Sequence, residues 1–250
     1  MSLTKGLLIL LLPVWTLGLN AQTDTRCYEL RVYTAHEGKL NDLMGRFRNH
    51  TCALFEKHGM TNVGYWTPLD NPDGKLYYIL SYPSRAARDA SWATFREDSA
   101  WIRAKTASEV RGPLVKSVES VFLTTTPYSP HNWATDCDRV WELRIYTTPA
   151  GKLDALNTRF KDHTMGLFAK HGMQNIQYWT PADEAQGAST MLYYFVTHQS
   201  PAAAAVSWKT FVADPVWQQV ARDSETRAGG SIVSKIESVM LYPTDFSPVK

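Results

Sequence analysis

The sequence predicts an α+β protein: two tandem ferredoxin-like βαββαβ modules folded against each other as a barrel within one chain. Three observations predict it. The chain repeats itself, each copy runs through strand and helix periodicities in the same order, and that order leaves one face of each sheet uncovered. A sheet with both helices on one side must bury its other face, and a second copy is the available partner.

The repeat is visible without any structural assumption. Residues from Tyr28 to Pro68 align with Trp141 to Pro181 without a gap, at an offset of about 113, and about 24 of the 41 positions are identical. The match resumes at Leu76-Tyr77-Tyr78 and Leu192-Tyr193-Tyr194, then at Ser91-Trp92 and Ser207-Trp208, at Trp101 and Trp217, and at Glu119-Ser120-Val121 and Glu237-Ser238-Val239. These anchors divide the chain into modules at 26–123 and 139–248, with a Pro, Thr and Ser-rich linker at 124–138.

Each element follows from local pattern. In the first strand Tyr28, Leu30 and Val32 alternate with Glu29, Arg31 and Tyr33, the period of a strand with two distinct faces. From Gly38 to His58, Leu40, Leu43, Phe47, Thr51 and Leu54 recur at helical spacing, and Lys57-His58-Gly59 is a helix stop. Val63 to Thr67 and Leu76 to Tyr82 flank Asp70-Asn71-Pro72-Asp73-Gly74, which predicts a hairpin. A second helix starts at Ser84 and breaks near Asp98, whose counterpart Asp214-Pro215 is a helix start. A strand near Ser117 to Leu123 closes the module.

Composition excludes several classes of partner. With 26 basic and 24 acidic residues the net charge of +2 concentrates no field for nucleic acid. Lys5, the apolar run Gly6 to Leu19 and Asn20-Ala21-Gln22 have the layout of a signal peptide at 1–21, cut after Ala21, which predicts a periplasmic or secreted protein. No later stretch is long enough to span a bilayer, so no stable membrane insertion is expected after cleavage. Cys27, Cys52 and Cys137 are too few for a disulfide scaffold or zinc site; a Cys27–Cys137 bridge is conceivable, since each precedes the first strand of its module. No structural metal is expected.

The order of Tyr28-Glu29-Leu30-Arg31-Val32-Tyr33, Lys57-His58-Gly59-Met60, Gly64-Tyr65-Trp66, Ser91-Trp92 with Phe95 and Asp98, and Glu119-Ser120, with second copies beginning Trp141-Glu142-Leu143-Arg144-Ile145-Tyr146, resembles two NIPSNAP domains. The resemblance implies the dimeric α+β barrel superfamily, here with both halves in one chain. The wider superfamily includes cofactor-free monooxygenases and haem proteins that place ligands between sheet and helix, an analogy at the level of fold.

The candidate chemistry has a structural reading beside each functional one. With Tyr28, Leu30 and Val32 under the helices, Glu29, Arg31 and Tyr33 would point at the other sheet and meet Glu142, Arg144 and Tyr146. Such a network either specifies the association of the halves or forms an anion pocket organised by Arg31 and Arg144. His50 and His163, about 60° from the apolar stripe at 100° per residue, are candidate general bases or haem ligands, or else half-buried structural histidines. His58 and His171 precede helix-capping glycines and are expected to be structural. Tyr65, Trp66 and Trp92, with Tyr178, Trp179 and Trp208, could stack on a flat ligand or form core, Tyr65 and Trp66 on opposite faces.

No nucleophile elbow, phosphate loop or dinucleotide fingerprint exists. The first functional expectation is an exported NIPSNAP-like protein that binds a small molecule or a protein partner, with further homo-oligomerisation left open. The second is a small-molecule enzyme, a cofactor-free monooxygenase or haem-dependent protein using His50 or His163. No cofactor is predicted, haem being the one candidate. The copies differ at Glu56 and Ala169, at Cys52 and Met165, and in the second hairpin, so one site could be functional and the other vestigial.

Overall fold

The computed structural model describes residues 24–133 and 139–250. The expected signal peptide and Cys137, hence the Cys27–Cys137 bridge, lie outside the described residues.

Each module follows the order that the periodicity predicts. The first contains β1 (Cys27–Ala35), α1 (Leu40–Arg46), a π turn (Phe47–Thr51), α2 (Cys52–Lys57), β2 (Thr61–Pro68), β3 (Lys75–Tyr82), α3 (Arg85–Glu97), α4 (Ser99–Ser108) and β4 (Val115–Thr125). The second repeats it with β5 (Val140–Thr147), α5 (Leu153–Arg159), a π turn (Phe160–Thr164), α6 (Met165–Lys170), β6 (Gln174–Pro181), β7 (Met191–His198), α7 (Pro201–Ala213), α8 (Pro215–Ala228) and β8 (Lys235–Pro243). Ser84 and Asp98 cap α3 and α4 by accepting from the amides of Ala87 and Ala100, as Ser200 and Asp214 do for α7 and α8.

The eight strands close into one antiparallel barrel in the order β1-β3-β2-β8-β5-β7-β6-β4. Two short seams join the modules, with Thr67 opposite Tyr242 and Thr124 opposite Thr180. Closure removes the sheet edges that either module alone would expose.

The barrel interior is aromatic. Tyr28, Leu30, Trp66 and Ile79 from the first module meet Trp141, Leu143, Trp179 and Phe195 from the second, and the Trp66 ring lies 5.2 Å from Trp141 and 5.0 Å from Phe195. Each indole removes roughly 150–250 Å² from water, an upper-bound stabilisation of roughly 4–6 kcal/mol. This reverses the expected facing of the first strand. Tyr28 and Leu30 fill the barrel, while Glu29, Arg31 and Tyr33 lie beneath the helices of their own module, so Glu29 and Glu142 occupy separate layers and never share an interior. Beneath the helices, Arg88 of α3 donates to Glu29 and Trp208 of α7 to Glu142.

Residues read as a linker carry structure up to Trp133. After β4, the Thr126 amide donates to the Tyr178 carbonyl and the Tyr178 amide to Ser129 Oγ, both at 3.0 Å, while Trp133 packs 5.8 Å from Trp179 in the barrel. The tail after β8 does the same for the first module: the Tyr65 amide donates to Ser247 Oγ at 3.0 Å, and the Phe246 ring sits 5.3 Å from Tyr65. Each module therefore ends in an arm that covers its neighbour.

Candidate functional site

Beneath α3, Glu29 is fully buried and held by four side chains. Arg31 donates to it at 2.5 Å, Arg88 at 2.7 and 3.0 Å, Ser120 at 2.8 Å and Tyr82 at 3.0 Å. Burial alone would raise its pKa, but hydrogen bonds from Arg88 and Ser120 and the Arg31 charge win and bring it down to about 2. Arg31 also donates to the Tyr78 hydroxyl at 2.8 Å, and its guanidinium lies 4.6 Å from the Trp92 ring and 5.6 Å from that of Tyr33.

Those two rings are walls of a cavity of about 270 Å³ between sheet and helices, completed by Phe47, Phe55, Phe95 and Trp101, with Arg46, Lys105, Glu109 and Val118 at its polar end and mouth. Arg46 is almost buried and donates to Glu109 at 2.8 Å and to Ser108 at 3.2 Å. The result is an aromatic slot whose walls are fixed by a buried ionic network behind them.

In the second module Glu142 sits at the same place with different partners. Arg144 and Ser238 donate at 2.6 Å, the Trp208 indole at 2.7 Å and His198 Nε2 at 2.8 Å. Here too burial raises the pKa and is outweighed, by His198, Arg144 and Ser238, bringing it to about 2. His198 replaces Tyr82 and Ala204 replaces Arg88 at equivalent positions.

The structure thus brings together Glu29, Arg31, Tyr33 and Trp92, and separately Glu142, Arg144, Tyr146 and Trp208. It divides the aromatic candidates. Tyr65 and Tyr178 pack in the helix layers, Trp66 and Trp179 in the barrel. His50 and His163 stand apart from both clusters: they are exposed, His50 on an open groove with Asn49 and Arg111, His163 beside a small cavity with Arg159. Both lie within a turn where the helix is not uniformly 3.6-fold. A π turn, in which the Cys52 amide reaches back to the Phe47 carbonyl and that of Met165 to Phe160, inserts an extra residue and rotates the helix beyond it. His58 and His171 are structural as expected, each bridging a threonine and the helix-capping Asp98 or Asp214, at 2.8 Å from the carboxylate. Arg88 and His198 were not anticipated; the signal available was that positions 82 and 88 differ between copies while Glu29 and Trp92 do not differ from theirs.

The sequence profile of the NIPSNAP family matches residues 28–130 and 141–248, once per module and over most of the chain. The chain belongs to the NIPSNAP family. Among solved structures, this NIPSNAP protein is similar over 91% of its length to all of a monooxygenase-like protein from Lactobacillus acidophilus NCFM, at 14% identity and a TM-score of 0.57. It is similar over 90% to 95% of a monooxygenase-like protein from Fusobacterium nucleatum, at 9% identity and a TM-score of 0.58. A NIPSNAP family protein of unknown function from Agrobacterium tumefaciens matches 42% of the chain over 93% of its own, at 19% identity and a TM-score of 0.38. No curated protein matches. The family match and the two full-length fold likenesses agree on a NIPSNAP protein with the dimeric α+β barrel fold, both halves in one polypeptide.

Proposed function

We propose that this NIPSNAP protein binds a small, flat organic molecule in the cavity of its first module. The observation behind the reading is the slot of about 270 Å³ walled by Tyr33, Trp92 and Trp101, with Arg46 and Glu109 at one end. Ligand sites of this build are apolar with a few placed polar groups, and the volume lies just under the ~300–1,000 Å³ usual for drug-sized ligands, so one or two fused rings bearing a hydroxyl fit best. Titration with 1-naphthol, followed by tryptophan fluorescence, should saturate in the wild type. Val118→Trp, which fills the exposed mouth, should weaken binding about tenfold or more. A titration that does not saturate, or that ignores the Val118 change, would sink the reading.

A second reading places an oxygenase reaction in the same cavity. It is supported by the full-length fold likeness to monooxygenase-like proteins, which is an argument from fold alone. Oxygen consumption above background on adding naphthols would support it. Haem does not fit this cavity, whose lining offers neither histidine nor cysteine; His50 and His163 are surface residues outside it.

We also propose that the protein acts outside the cytoplasm. Lys5, the apolar run Gly6 to Leu19 and Ala21 support cleavage after Ala21. No helix of the described residues is long and apolar enough to cross a membrane. The intact mass of protein recovered from a fractionated host decides it: a chain beginning at Gln22 outside the cytoplasm agrees, and an uncut chain inside does not.

A further inference from the structure

We propose that the second module holds a binding site for a small carboxylate, anchored by the guanidinium of Arg159. The site is distinct from the aromatic cavity of the first module and does not depend on it.

One position occurs once in each module. Arg46 and Arg159 are equivalent in the repeat, each immediately precedes the π turn, and each is only 5% exposed. In both, the threonine closing the turn, Thr51 or Thr164, donates back to the carbonyl of that arginine, so the backbone presents the two side chains alike. In both, an indole flanks the guanidinium, Trp101 at 5.2 Å and Trp217 at 5.1 Å.

The partners differ. Arg46 is neutralised by Glu109 at 2.8 Å, with Ser108 at 3.2 Å. For Arg159, no hydrogen bond or ion pair to the guanidinium exists among the described residues; its Nε, like that of Arg46, is buried without an acceptor. Glu225, the counterpart of Glu109, forms no ion pair with it, and accepts instead from Ser231 at 3.5 Å. Burial accordingly pulls the Arg159 pKa below the ordinary guanidinium value, with the Glu225 carboxylate opposing it. A buried cation without a counter-ion is costly, and a planar fork of donors is built to take a carboxylate by two parallel bonds.

Space for that carboxylate adjoins it. A cavity of about 170 Å³ is lined by Arg159 together with Thr158, Asp162, His163, Ser224 and Arg227. Two arginines against one aspartate make it attractive to an anion, and its size admits a carboxylate of two to four carbons. A ligand there would play for Arg159 the part that Glu109 plays for Arg46.

The test is calorimetric titration of residues 22–250 with sodium acetate against sodium chloride at matched ionic strength. A saturable one-to-one heat is expected in the wild type, unchanged in Val118→Trp. It should be weakened about tenfold or more in Arg159→Met and in Arg159→Lys, which keeps the charge but loses the fork. Should these variants fold poorly, the arginine Nε–H resonances of nitrogen-15-labelled wild type should include one that shifts on adding acetate and not chloride. Absence of a saturable heat, or equal affinity in the arginine variants, overturns the proposal. So does a loss of urea resistance in Glu225→Gln as large as in Glu109→Gln, since Arg159 would then already be paired within the chain.

Discussion

Glu29 in the first module is held by two arginines, a tyrosine and a serine; Glu142, at the same place in the second, is held by one arginine, a histidine, an indole and a serine. The changes are coupled. In the first module Trp92 donates to the Tyr82 hydroxyl at 2.9 Å, because Tyr82 and Arg88 already serve the carboxylate. Where Ala204 replaces Arg88, Trp208 reaches Glu142 directly at 2.7 Å. Both copies of the fold have kept four donor side chains around a buried carboxylate; the number of arginines has drifted from two to one. A buried acceptor must be satisfied, but neutral N–H groups can do it, provided at least one cation balances the charge.

The largest expected effect breaks that comparison outright. Glu29→Gln leaves Arg31 and Arg88 facing a neutral amide, both mostly buried at 12% and 16% exposure, and should cost about 3–5 kcal/mol in urea denaturation. Glu142→Gln strands one arginine, Arg144, in place of two and should cost roughly 1–2 kcal/mol less. Equal losses would show that solvent already screens Arg88.

Acid titrates the same two sites alike. Both carboxylates have folded-state pKa values of about 2 against an ordinary 4.5. A depressed pKa contributes stability that is complete above the unfolded value and is lost as pH falls through the folded one. Stability should therefore change little from these groups between pH 7 and 5 and fall between about 4.5 and 2, by on the order of 3 kcal/mol per site. Urea midpoints measured across that window should fall about half as steeply from these two groups in Glu142→Gln. An unchanged slope would mean that other acids dominate the titration.

The sequence made the module legible because its signals are local. Ser84 and Asp98 announce the two helices they cap, Asp70 to Gly74 the hairpin, and the second copy repeats each of these signals. The site was less legible for three physical reasons. Both faces of β1 are covered, one by helices and one by the other sheet, so alternation sorted Glu29 from Leu30 without telling which layer each enters. The π turn has no sequence rule of its own, so a constant 100° per residue does not follow the helix through Phe47–Thr51 or Phe160–Thr164. Tyr82, Arg88 and His198 lie 53 to 59 residues from the carboxylates they contact, beyond any spacing argument. The comparison of copies was the instrument that could have found them, since charge lost at one equivalent position and aromaticity altered at another point to a shared partner.

The smallest effect tests the barrel interior, where the copies also diverge. Trp66 folds back across Gly64, so that a Cβ built there would collide with the indole. The second module has Gln177 at that position, donating to Thr125 at 3.2 Å, and Trp179 leans instead toward Tyr28 at 5.7 Å and Trp133 at 5.8 Å. The asymmetry follows from the arms. Trp133 enters the barrel from the linker beside Trp179, while on the other side the Lys250 carbonyl accepts from Trp141 at 3.3 Å. Gly64→Ala should therefore cost about 1–3 kcal/mol by overpacking, and Gln177→Gly only about 1 kcal/mol, from a lost hydrogen bond and added backbone freedom. Urea midpoints read the energies, and near-ultraviolet circular dichroism reports whether the indoles move. If Gly64→Ala is neutral and the tryptophan signal shifts, Trp66 has a second resting place like that of Trp179, and the interior is less committed to one packing than its two halves suggest.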